Sequence, residues 1–189
     1  MFQTGLPFFV TSLLKLPESM TTTYFVTMTA CSLIFYIPIN KLTPRFGKKK
    51  LMLVAFGLFT LVYLYTSLFG HQPGISPTLQ GFILCIMASL PMAIFGILPQ
   101  AVVADIAQSD SIATGENREG MFYAARTFAF KIGQSLSMLL FTAISTIRAE
   151  SGFGYRIVAI VAAVFCVLGG LIFLLYNEKR VIGALEGEK

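Results

Sequence analysis

The sequence predicts an all-α integral membrane protein, with five full spans and the end of a sixth. Three observations predict it. Of 189 residues, 56% are hydrophobic and only 12% are charged, with a mean hydropathy of +0.77, against about a quarter charged in a soluble domain. From Leu51 to Ala104 there is no Asp, Glu, Lys or Arg, a run that no soluble core needs. Eighteen Phe with no Trp suit a surface facing lipid, with Tyr left to serve at the interfaces.

The elements follow in order. Residues 1–16 open on MFQTGLPFFVTSLL, apolar but too short to cross. They lack a basic n-region and a small-residue cleavage site, so they read as a partial helix, the outer end of a span, and not as a signal peptide. Residues 19–40 form the first full span, ended by Pro38 and the basic loop KLTPRFGKKK. Residues 51–69 form the second. HQPGISPTLQ is a loop by its Gly and Pro content. Residues 81–104 form the third span, with Pro91 and Pro99 as kinks that neighbouring helices can tolerate. Residues 105–120 read as a polar, flexible connection. Residues 121–147 form the fourth span and 157–176 the fifth.

Loop charge sets the orientation. Lys41, Arg45, Lys48, Lys49, Lys50, Arg118, Lys179, Arg180 and Lys189 fall on one side, against Lys15, Arg148 and Arg156 on the other. The positive-inside rule makes the richer side cytoplasmic and puts the carboxyl terminus there. The same rule accounts for the net charge of +5, so no nucleic-acid partner is implied; the lipid bilayer is the partner. Cys31, Cys85 and Cys166 sit in separate apolar runs and read as small buried hydrophobes. His71 is the only histidine, which leaves no His-based triad or multi-His metal site.

The fourth span contains TFAFKIGQSLSML, with Lys131 in its middle. A charge there costs about 2.5–3.5 kcal/mol on insertion scales. Tyr123, Thr127, Gln134, Ser135, Thr142, Ser145 and Thr146 lie within about 80° of Lys131 on a helical wheel. Such a stripe has to face other helices or a water-filled cavity. For Thr142, Ser145 and Thr146, helix-to-helix adhesion is sufficient reason. Lys131 needs an anion, a cavity or a shifted pKa. Arg126 lies about 140° round, at the stripe's edge, where its long side chain can also snorkel.

These residues resemble a known family. Asp105, then TGENREG (residues 114–120), then Tyr123 and Lys131-Ile132-Gly133-Gln134, is similar to the glycoside–pentoside–hexuronide:cation symporters, the melibiose permease branch of the major facilitator superfamily. INKLTPRFGKKK resembles their loop between helices eight and nine, with Pro44 where an acidic residue is usual. The resemblance covers the whole chain. It implies the carboxyl-terminal six-helix bundle of a major facilitator fold, from the end of helix seven through helix twelve.

By that resemblance the function is cation-coupled transport of a sugar or related small solute, a glycoside, pentoside or hexuronide, and not catalysis. Lys131 matches a lysine serving sugar and cation binding, Thr127 a cavity-facing position, and Arg126 its neighbour at the sugar site; Gln134 and Tyr123 join them as substrate-binding candidates. Asp105 matches an aspartate of a network closing the cytoplasmic side, and Asp110, Arg118 and Glu119 are candidates for the same network. The family's second acid is replaced by Gln108 and one of its arginines by Asn117. No cofactor is expected beyond the coupling cation, Na⁺ or H⁺, whose site would lie mostly on a missing amino-terminal half or partner chain. The expected location is the plasma membrane. A lipid-carrying relative stays open within the symporter class. Two other classes also stay open: a non-transporting half-transporter relic or membrane subunit, and a membrane-integral lipid-modifying enzyme using Asp105, Asp110, Glu116 and Glu119 to hold Mg²⁺.

Overall fold

The computed structural model describes residues 2–69, 76–147 and 152–186; His71, Arg148 and Lys189 lie outside them. The described elements are helical. α1 (Phe2–Phe8) passes into a π-helical turn, Phe9–Leu13. α2 (Glu18–Phe46), α3 (Lys48–Ser67), α4 (Pro77–Thr114), α5 (Glu119–Ser145) and α6 (Phe153–Phe173) follow, then the short α7 (Glu178–Glu186). Among the described residues, the five helices α2 to α6 are long and apolar enough to cross a membrane.

Local chemistry sets the helix ends. α4 starts where the Ser76 hydroxyl accepts from the Leu79 N–H at 3.4 Å and Pro77 occupies the first turn, a position that needs no N–H. It stops at Gly115, whose φ of +73° suits a residue without Cβ and whose N–H closes on the Ser111 carbonyl at 2.8 Å. This corrects the reading of 105–120 as a flexible connection. The segment stays helical to Thr114 because no Gly or Pro interrupts it, and because α7 packs along it with Ala107 buried.

α2 likewise runs beyond the apolar segment 19–40. It carries Pro38 and Pro44 inside it and ends at Phe46. The basic loop is thereby reduced to one hinge residue, Gly47, at φ +82° and ψ 154°. Each proline removes one N–H from the helical ladder. The last turn is tied instead by the Thr43 hydroxyl to the Ile39 carbonyl at 2.7 Å and the Gly47 N–H to the Thr43 carbonyl at 3.0 Å.

α3 packs most closely against α6 and α4, and α2 against α4; α5 borders α6 and α4 more lightly. One core cluster joins Leu6, Phe9 and Val10 of the first segment to Tyr24, Val62, Leu84, Phe141 and Val158. The other, towards the Gly47 end, joins Ile39, Ala55, Ile94 and Leu98. There Phe56 meets Phe95 edge-on at 4.8 Å and lies against Gly169 and Gly170 of α6. In lipid, where apolar side chains gain little by leaving the solvent, this van der Waals fit carries the association.

Candidate functional site

α5 is unlike the other spans. Phe141 is its one buried residue. The side turned to the bundle also carries half-buried Phe122, Arg126, Ser137 and Ile144, while most of the rest is exposed. Lys131 is exposed, about 140° round the helix from Arg126. Within this chain it is therefore open rather than enclosed by a cavity, because α5 borders mainly α4 and α6. Among the described residues no carboxylate lies within ion-pair distance of Lys131 or Arg126.

Four hydroxyls of the stripe turn back onto their own helix. Thr127 donates to the Tyr123 carbonyl at 2.8 Å, Thr142 to Met138 at 3.0 Å, Ser145 to Thr142 at 3.1 Å and Thr146 to Ala143 at 2.9 Å. These bonds satisfy the donors without a second helix and leave oxygen lone pairs outward. Tyr123 is half-buried and Thr127 exposed.

Two spaces adjoin this helix. An open trough of about 730 Å³ runs along Gln134, Ser135, Met138, Leu139, Thr142 and Ala143. A second, of about 570 Å³, lies between α1, α3, α4 and α5, with Phe59, Phe95 and Phe130 as walls and Thr4, Gln134 and Ser137 among its polar groups. Gln134 borders both. Of the sequence candidates, Gln134 thus has the clearest place in a concavity, one turn beyond Lys131. Thr4, Phe130, Gly133 and Ser137 were missed. The last three recur every three or four residues on the face beside the stripe, which is the signal that could have found them.

The opposite end of α5 meets the charged end of the bundle. Lys48 Nζ pairs with Asp105 Oδ2 at 2.5 Å and reaches the Ala101 carbonyl at 3.4 Å. Arg118 Nε lies 3.6 Å from Asp110 and 3.4 Å from Glu116. Glu119 borders a 260 Å³ crevice with Gln108, Ser111 and Asn117, and its N–H donates to Asn117 Oδ1 at 3.2 Å. The structure therefore unites Asp110 with Arg118 but sends Asp105 to Lys48, a partner the candidate set omitted. The four acids of the lipid-enzyme alternative do not converge: Asp105 is bound to Lys48, and Asp110 and Glu116 face Arg118.

A family model described as MFS/sugar transport protein matches residues 1–177. A protein named as an uncharacterized symporter, from Synechocystis sp. (strain ATCC 27184 / PCC 6803 / Kazusa), is 29% identical over 154 residues. That alignment covers 80% of this chain and 27% of the relative, so the chain spans well under half of that protein's length. No solved structure matches the chain.

Proposed function

We propose, from the premise that the chain belongs to the MFS/sugar transport protein family, that it forms the carboxyl-terminal bundle of a cation-coupled symporter for sugars or related small solutes. The family is one of transporters and not of enzymes. One observation carries the finer reading. Lys131 stands mid-helix on an exposed polar face with no counter-ion among the described residues, a position lipid would not tolerate cheaply. A facing second bundle, supplied by further sequence or a partner chain, would turn that face into a midplane cavity, the arrangement alternating access requires.

In this reading Lys131 binds substrate oxygens and shares carboxylates of the facing bundle with Na⁺ or H⁺. Gln134 and Thr127 offer hydrogen bonds along the same face, and Tyr123 lies towards its charged end. Arg126 is turned to the bundle, about 140° from Lys131, so Lys131 alone supplies positive charge to this face, without the preference for an acidic sugar that two cavity cations would give. The Lys48–Asp105 pair and the Asp110–Arg118–Glu116 group, with Glu119 beside them, form the network that closes the cytoplasmic side. The protein is placed in the plasma membrane as such a symporter, and the loop-charge asymmetry supports a carboxyl terminus in the cytoplasm.

The test is uptake of labelled sugars and uronates with and without a cation gradient, using the gene product at its native length. Lys131→Ala is expected to abolish coupled uptake while membrane insertion stays intact. Undiminished uptake that still follows the cation gradient would sink the assignment.

A further inference from the structure

α3 begins under poor local conditions. A helix start has four N–H groups without intrahelical partners and a positive dipole end. Here the first turn is Lys48-Lys49-Lys50, with no acid, and the preceding residue is Gly47, which has no side chain to cap with. Three cations at the positive end of a helix repel it.

The missing acceptor comes from the far end of the chain. Glu178, at the start of α7, accepts from the Lys48 N–H at 2.5 Å through Oε1 and from the Lys49 N–H at 3.1 Å through Oε2. Gly47 makes room for it. A Cβ at 47 would lie 2.8 Å from Glu178 Oε2, and the φ of +82° independently disfavours any side chain. The same two lysines then send their side chains elsewhere: Lys48 Nζ to Asp105 and the Ala101 carbonyl, and Lys49 Nζ to the Leu174 carbonyl at 2.7 Å.

We infer that Glu178 is a positioning residue, a carboxylate that caps α3 from 130 residues away and thereby aims Lys48 at Asp105. One group fixes the start of α3 to the segment after α6, and through Lys48 to α4. The inference stands on these hydrogen bonds and does not depend on the transport reading, so an uptake result leaves it untouched.

The experiment is amide hydrogen exchange on the full chain in lipid nanodiscs, read over residues 48–51 and compared with α5 and α6. Glu178→Ala is expected to speed exchange in that first turn about tenfold, the loss of one good cap, with α5 and α6 unchanged. Glu178→Gln keeps an acceptor but not the charge, and is expected to speed it about threefold. A second readout separates aiming from simple support. The stability coupling between Lys48→Ala and Asp105→Ala is expected to disappear in the Glu178→Ala background and to weaken in Glu178→Gln. Wild-type protection in Glu178→Ala overturns the inference, as does wild-type protection in Glu178→Gln should the alanine variant not fold. A Lys48–Asp105 coupling that keeps its wild-type value in Glu178→Ala, or in Glu178→Gln should the alanine variant not fold, also overturns it.

Discussion

Replacing Phe141 by Ala is expected to loosen α5 from the bundle while the remaining spans stay packed. Phe141 is 4% exposed, with its ring 5.3 Å from that of Phe8 and 6.3 Å from that of Tyr155. Gly5 lies under the same ring, its Cβ position 3.2 Å away. In water a buried Phe→Ala change costs about 3–5 kcal/mol, part of it the transfer of the ring out of water. That part falls away in lipid, where the solvent is as apolar as the core. What remains is the packing, including two aromatic contacts at about 0.5–1.5 kcal/mol each. The expected loss is about 2 kcal/mol, or roughly thirtyfold in the population of detached α5. The control is Leu139→Ala, two residues away and 68% exposed, expected within about 0.5 kcal/mol of wild type. Hydrogen exchange in nanodiscs, resolved over α2 to α6, is the assay. Equal α5 protection in the two variants would refute the idea that one side chain anchors this helix. So would a loss shared evenly by α2, α3 and α4.

Three further outcomes are expected. Lys48 and Asp105 are 23% and 20% exposed at their side chains, so solvent screening limits their coupling to about 1 kcal/mol. A double-mutant cycle at low and high salt should show that coupling and its decline with ionic strength. Gly154→Ala places a Cβ 2.6–2.7 Å from the Ile144, Ser145 and Ile147 carbonyls, backbone atoms that cannot step aside. It should lower the melting temperature in detergent, whereas Gly57→Ala, with nothing within 4 Å, should leave it unchanged or slightly raised. A membrane-permeant maleimide should leave the fully buried Cys85 unmodified on the folded chain, while the half-buried Cys31 and Cys166 react slowly.

The membrane class was legible because it depends on composition over long windows, and the uncharged run from Leu51 to Ala104 leaves no other solution. Helix extents were less legible wherever polarity and helicity parted company. Asp105 to Thr114 look like a loop by hydropathy, yet Ile106, Ala107, Ile112 and Ala113 allow a helix and Gly115 is its natural stop. The α2–α3 corner misled for the opposite reason: Pro38 and the basic run suggested an ending, yet the helix continues to Phe46 through mostly exposed residues, its last turn closed by the Thr43 hydroxyl and the Gly47 N–H. At the candidate site, the polar stripe of α5 could be read from spacing, since spacing is intrinsic to one helix. The partnerships of Asp105 with Lys48, and of Glu178 with the start of α3, could not. Their residues are 57 and 130 positions apart, and only the packing of α3 against α4 and the return of α7 bring them together.

The length of α4 has a mechanical consequence. Its 38 residues make a rod of roughly 57 Å, nearly twice the thickness of a bilayer's hydrocarbon core. The fifteen residues beyond Pro99 act as a lever arm of about 23 Å that carries Asp105 and Asp110. A 20° change of bend at that proline would sweep its tip through about 8 Å, more than one helical pitch. Small rearrangements at membrane depth would thus be geared up into large displacements at the charged surface. The Lys48–Asp105 contact sits near the fulcrum, where movement is least, and the Asp110–Arg118 pair further out, where it is greater.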